Sequence, residues 1–171
     1  MFFYKIKTQE YSHTLVDFYV LDQVASATKL SQLRFDQNLL LDKELGNYSW
    51  TQENWQELVG AKDYLLINLV QNDGLIGLLL AKLNYQEAMV HLLKLVVTPE
   101  KRKQGFGIML LGELAGFMES RRLTKLFLEV EADNIPAISL YEKAGVNKIY
   151  LSKNFYSNGK SAWKMLKENA G

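Results

Sequence analysis

The residues best placed to do chemistry are Arg102-Lys103-Gln104-Gly105-Phe106-Gly107. They stand between an apolar run, Val90 to Val97, and a second one, Ile108 to Met118, an order that predicts strand, glycine loop, helix. Such a loop presents backbone N–H groups at a helix N-terminus, where the positive end of the dipole attracts phosphate. The two glycines let that backbone come close to a ligand. A phosphorylated ligand is therefore expected, against the plainer alternative of a helix start with a convenient glycine pair. A nucleotide P-loop needs Gly-Lys followed by Ser or Thr, whereas Gly107 is followed by Ile108 and Met109. A dinucleotide fingerprint needs a third glycine three positions after the second. Leu110 stands there, and the strands before the loop read as antiparallel.

The elements that must position this loop are legible from periodicity. Residues 2–8 and 15–21 predict strands, and 23–44 carry leucines at helical spacing. Thr51 to Val59 predicts a short helix capped by Thr51, with Gln52 and Glu53 in its first turn. Tyr64 to Val70 and Leu75 to Leu83 predict a hairpin around Asn72-Asp73-Gly74. Met89 to Val97 adds a third antiparallel member after the turn Asn84-Tyr85-Gln86. A helix of about four turns follows the loop. Lys125 to Val130 predicts a buried strand, Asn134 to Lys143 a helix ended by Gly145, and 147–155 with 161–166 a last hairpin around Asn158-Gly159. Strands first, then helical crossovers, then a hairpin predict an α+β fold with a single central mixed, mostly antiparallel sheet flanked by helices.

Composition narrows the function further. The chain has 171 residues, 20 Lys plus Arg against 19 Asp plus Glu, and no cysteine. Its length suffices for one domain with a real core, and 1–171 is expected to be one domain. The balanced charge gives no footprint for nucleic acid or an anionic membrane. Absence of cysteine excludes disulfides, thiolate metal ligands and a Cys nucleophile. His13 and His91 are the only histidines, so no metal site is expected. The start lacks a signal-peptide core and no run reaches the ~18 apolar residues of a membrane helix. A cytoplasmic monomer or homodimer fits these facts.

The motifs converge on one family. Arg102-x-x-Gly105-x-Gly107 resembles the Gln/Arg-x-x-Gly-x-Gly/Ala pyrophosphate loop of the GNAT superfamily of acetyl-CoA-dependent N-acetyltransferases. Leu128-Glu129-Val130, Asn134, and Ala137 through Leu140-Tyr141-Glu142 to Gly145 resemble that superfamily's second half. More narrowly they resemble the RimI-like bacterial enzymes that acetylate the N-terminal alanine of ribosomal protein S18. Asn154-Phe155-Tyr156 is similar to their Asn-Tyr-Tyr, and Ser49-Trp50-Thr51 to their Pro-Trp-Ser. The likeness covers roughly 45–167, strongest from 90 on; residues 1–44 diverge. The chain departs from the pattern at Glu131 in place of Arg, Val146 of Phe and Ser49 of Pro, and at Lys94 and Lys101. These departures bear on the acceptor more than on the chemistry.

The resemblance implies acetyl-CoA as cofactor, with residues 89–145 as its binding core. Backbone groups of Leu95, Val96 and Val97 are expected along the pantetheine arm, the Val97 N–H at the acetyl carbonyl, and Arg102, Lys103, Gln104, Gly105, Phe106, Gly107 and Ile108 around the pyrophosphate. Direct transfer needs no enzyme nucleophile, only a base, an oxyanion donor and an acid. Glu129 is the candidate base, against a plain ion pair with a lysine such as Lys125. Tyr141 is the candidate acid, against ordinary helix packing. Asn134 is expected to cap its helix and to contact the cofactor. Trp50, Glu131 and Tyr156 are candidates for the acceptor groove, and core packing serves the two aromatics equally. An α-amine has pKa about 7.7–8.0 and a lysine side chain about 10.4, so deprotonating lysine costs about 3–4 kcal/mol more at neutral pH. A protein N-terminus is therefore the leading acceptor. The alternatives are a small amine drawn to Glu129, Glu131 and Asp133, such as a polyamine, aminoglycoside or amino acid, and a non-catalytic acyl-CoA sensor.

Overall fold

The computed structural model describes residues 3–11, 14–21, 35–58 and 61–168. Among the described residues eight strands form one sheet: β1 (Phe3–Tyr11), β2 (Thr14–Leu21), β3 (Tyr64–Gln71), β4 (Gly74–Asn84), β5 (Met89–Val97), β6 (Lys125–Glu131), β7 (Asn147–Ser152) and β8 (Ala162–Glu168). Their spatial order is β1-β2-β3-β4-β5-β6-β8-β7. Only β5 and β6 run parallel; every other pair is antiparallel. The expected mixed sheet is therefore present. The β3–β4 turn places Asn72 and Asp73 at positive φ, as a tight hairpin demands.

The helices are α1 (Phe35–Asp42), α2 (Gln52–Glu57), α3 (Phe106–Ser120) and α4 (Ile135–Lys143). A 3-10 segment, Lys43–Tyr48, kinks at Gly46 between α1 and α2. The expected helical run over 23–44 is thus realised as α1 plus this segment; 23–34, like Phe2 and Val59, lie outside the described residues. Thr51 caps α2 in a reciprocal capping box with Asn54. The last hairpin is shorter than its expectation. β7 stops at Ser152 because Lys153 and Asn154 turn, Asn154 at φ 50°.

Two cores lie on the two faces of the sheet. The larger joins α3 and α4 to Leu65, Ile67, Leu79, Val90, Leu92, Leu128 and their neighbours. The smaller joins α1 and α2 to Leu66, Leu78, Leu80 and Val96. Alternation along a strand should keep Leu92 and Val96 on one face, yet they belong to different cores. The register explains this. Leu80 pairs with Lys94 and Ala81 with Leu92, so Leu93 is an extra, bulged residue. The bulge flips the phase of β5 and turns Lys94 and Val96 toward α1 and α2.

Candidate active site

The same place on β5 is where the sheet opens. β5 and β6 pair from Met89–Lys125 to Leu92–Leu128 and no further. Beyond that, β6 stays with β8 through Glu131, while β5 stays with β4 through Val97. A gap therefore separates Leu93–Val97 from Glu129–Glu131. Thr98 N–H donates to Ile76 O one register step past the Gly77–Val97 pair. Alternation in an antiparallel ladder then turns the backbone groups of Leu95 and Val97 into the gap, and those of Val96 toward β4. The Val97 carbonyl is taken by Arg102 Nε at 3.0 Å, which leaves its N–H facing the gap.

The glycine loop leads from β5 into α3. Lys103 (φ 61°) and Gly105 (φ 91°) are both left-handed, so the chain reverses and presents consecutive N–H groups. Gly105 is the N-cap of α3 and offers no side-chain acceptor to the first-turn amides. A Cβ built on Gly105 would meet nothing within 4 Å. Uncapped donors at the start of a 15-residue helix, opening on free space, suit a pyrophosphate. Gly107 serves packing instead: its Cβ would stand 3.0 Å from Leu140 Cδ2, which brings the start of α3 against α4. The side chains of Arg102 and Gln104 are engaged elsewhere. Arg102 also reaches Glu44 Oε2 at 3.3 Å, and Gln104 Nε2 donates to Glu100 O at 2.8 Å. Phe106 packs on the larger core, while Ile108 is exposed.

Glu129 projects from β6 to the α1/α2 face, since Leu128 and Val130 fill the opposite core. Its Oε2 lies 2.6 Å from His91 Nε2 and its Oε1 3.7 Å from Lys164 Nζ. The ion-pair partner is thus Lys164, its cross-strand neighbour on β8. Burial pushes the Glu129 carboxyl up, but the His91 hydrogen bond and the charges of His91 and Lys164 outweigh it and hold the group below its ordinary value. Glu131 pairs with Lys160, which also holds Asp133 at 3.1 Å. The three carboxylates expected to draw a cationic acceptor are therefore already matched by His91, Lys160 and Lys164.

Tyr141 comes from α4 through the larger core and is 8 % exposed. Burial, then the neighbouring Tyr156, pushes its phenol well above the ordinary value. Burial, with Tyr48 and Glu129 nearby, pushes Tyr156 up to about 12. Tyr156 packs edge-on against Tyr48 at 4.6 Å and Phe155 at 5.0 Å between ring centroids. Glu129 and Tyr141 thus lie on opposite faces of the sheet, and Tyr156 is an electrostatic neighbour of both. Asn134 caps α4 through Oδ1, accepting from Ala137 N–H at 3.2 Å. Trp50 sits on the α1/α2 face, edge-on to Trp55 at 5.9 Å, and lines a cavity with Asn54, Glu57, Leu58 and Tyr64. His91 and Lys164 were not singled out from the sequence. Their partnership with Glu129 depends on strand register, which periodicity does not reveal.

A parallel pair that splits at a bulge, an uncapped helix start beside it and a carboxylate at the edge of the split are the arrangement expected of an acyl-CoA-dependent transferase. The Acetyltransferase (GNAT) family profile matches residues 28–146, and the chain belongs to that family. It is an N-acetyltransferase with acetyl-CoA as donor. The [ribosomal protein bS18]-alanine N-acetyltransferase of Escherichia coli is 32 % identical over 109 residues, covering 64 % of this chain and 72 % of that one. The crystal structure of the Escherichia coli ribosomal-protein-S18-alanine N-acetyltransferase superposes with a TM-score of 0.73 at 24 % identity, covering 92 % of this chain and 96 % of that one. That of nourseothricin acetyltransferase gives 0.58 at 27 %, covering 62 % and 65 %. Among the described residues no helix is long and apolar enough to cross a membrane.

Proposed function

We propose that this acetyltransferase acts on a protein N-terminal α-amine, with Glu129 as base and Tyr141 as acid. The observation that carries the reading is the state of Glu129: a carboxylate beside the β5–β6 gap, held ionised by His91 and Lys164. A carboxylate of lowered proton affinity is a weak base. It suits an amine of pKa about 7.7–8.0 better than a lysine side chain of about 10.4. The Escherichia coli relative, named for acetylating the alanine of ribosomal protein bS18, supports the same class of acceptor. The charge pairing around Glu131 and Asp133 disfavours a polyamine.

Acetyl-CoA, once bound, supplies a thioester acetyl group for attack by the amine. The amides of Lys103 to Ile108 would hold the pyrophosphate, and Leu95 and Val97 the pantetheine arm as an added strand. The Val97 N–H would polarise the acetyl carbonyl. Glu129 would take a proton from the acceptor ammonium, held in place for this by His91, which is itself one-third exposed. The Tyr141 hydroxyl, which burial keeps protonated throughout the working range, would protonate the leaving sulfur, and the second proton lost by the acylated nitrogen would restore the phenol. Trp50 and Tyr156 would flank the acceptor on the α1/α2 face.

The test is free-thiol release from acetyl-CoA against a peptide beginning Ala-Arg-Tyr and against spermidine, with Glu129→Gln as control. Turnover of the peptide alone, lost in the variant, is expected. Turnover of spermidine alone would move the enzyme to the small-amine class.

A further inference from the structure

Lys94 is a charge that the transfer chemistry leaves unused. The bulge at Leu93 turns it toward α1, where its side chain is 2 % exposed and that of Asp42 0 %, with Nζ 2.8 Å from Asp42 Oδ1. The same ammonium donates to the Tyr48 carbonyl at 2.9 Å and lies 4.7 Å over the Trp50 ring. Asp42 Oδ2 accepts from the Trp50 backbone N–H at 2.7 Å and from the Trp55 indole N–H at 2.9 Å. One buried pair therefore grips both ends of Tyr48-Ser49-Trp50. Tyr48 in turn sets its ring against Tyr156 and accepts a hydrogen bond from Asn158 Nδ2 at 3.1 Å. That contact joins the α1–α2 connection to the β7–β8 loop, beside Glu129.

A buried ion pair adds little net stability over apolar residues of the same volume, because desolvation offsets the attraction. What it does supply is a fixed position for the groups it binds. Resting on the reading that the acceptor reaches Glu129 from the α1/α2 face, we propose that Lys94 and Asp42 are positioning residues for the acceptor. They hold Tyr48 against Tyr156 and so set the wall that the amine's substituent passes on its way to Glu129. Lys94 borders the gap through its backbone alone; its side chain and that of Asp42 lie on the α1/α2 face, so the donor side does not depend on their charges.

The test uses the double variant Lys94→Met/Asp42→Asn, which leaves no lone buried charge and keeps a side-chain oxygen for the two tryptophan N–H groups. Lys94→Met alone strands Asp42 and is expected to fold poorly. For the double variant we expect a cooperative melt close to that of the parent and an unchanged acetyl-CoA Kd. The KM for the acceptor should rise about tenfold or more while kcat stays within about twofold. Amide exchange should quicken across Asn47–Trp50 but not in β5 or β6. The Ala-Arg-Tyr peptide and spermidine serve as acceptors in parallel. An acceptor KM equal to that of the parent, or one that rises only together with the acetyl-CoA Kd, overturns the proposal. If the parent turns over neither acceptor, the reading of the acceptor fails instead. Exchange across Asn47–Trp50 then decides the clamp by itself, and unchanged exchange overturns it.

Discussion

Glu129 has His91 against one carboxylate oxygen and Lys164 near the other. The Leu-Glu-Val run marks it, and the sheet puts it at the edge of the β5–β6 gap. Replacing it with Gln keeps the shape and one acceptor for His91 but removes the proposed base. kcat/KM should fall by about 10²–10⁴-fold, with the acetyl-CoA Kd unchanged by calorimetry. The pH profile follows from the directions of the shifts. Glu129 is held below its ordinary range, so it is ionised across neutral pH and cannot produce the acid limb there. kcat/KM should instead rise with the acceptor's own deprotonation, toward about pH 8 for an α-amine. Tyr141 and Tyr156 are both pushed up, so no fall from phenol ionisation is expected below about pH 10. For stability the sign is that of a depressed carboxyl. The contribution is present above the unfolded value, about 4.3, and is lost as pH falls through the folded one. Urea midpoints at neutral and acid pH should converge for the parent and Glu129→Gln as the pH is lowered; a constant difference would contradict the assignment.

At the scale of elements, Gly105 and the Leu93 bulge shape the proposed donor site. A side chain at φ 91° is strained by about 1–2 kcal/mol. Gly105→Ala should therefore lower stability by that order in urea titration and weaken acetyl-CoA binding, because the first amides of α3 must shift. Deleting Leu93 makes Leu92 and Lys94 consecutive, so plain alternation still leaves Lys94 and Val96 on the α1/α2 face; cooperative unfolding should survive, and acetyl-CoA binding should weaken as the straightened β5 narrows the gap. The glycine loop, the β3–β4 hairpin, β5, β6 and α4 were all legible, because each carries its own signal: turn residues, period two, a cap. The bulge was not. β5 alternates buried and half-buried residues as though unbroken, since the residues on both sides of Leu93 find a core on one face or the other. His91 was hidden for a related reason: 38 positions separate it from Glu129, and only the parallel register of β5 and β6 brings them together. Lys94 shows in the sequence only as a departure from the family pattern, and its burial depends on Asp42, 52 positions away by number and on another layer.

Over the whole molecule the sheet acts as a partition with one opening. α3, whose uncapped start is the proposed phosphate site, and α4, with Tyr141, lie on one face, and α1 and α2 on the other, where Glu129 projects. At the opening, β5 holds on to β4 and β6 to β8, with no ladder between them past Leu92 and Leu128. A ligand that hydrogen-bonds Leu95 and Val97 and also the start of α3 bridges elements that otherwise meet only through the core below. Binding to the folded state alone should then appear as stability. At a ligand concentration one hundred times Kd the gain is about 2.7 kcal/mol. For a chain of this length each kcal/mol moves Tm by about 2–4 °C, so acetyl-CoA should raise Tm by about 5–10 °C. Gly105→Ala should blunt that rise at equal concentration, while Glu129→Gln should leave it intact, because the base lies on the acceptor side. Equal blunting by both variants, read by calorimetry, would mean that the two faces are not separate sites and that Glu129 helps to hold the donor.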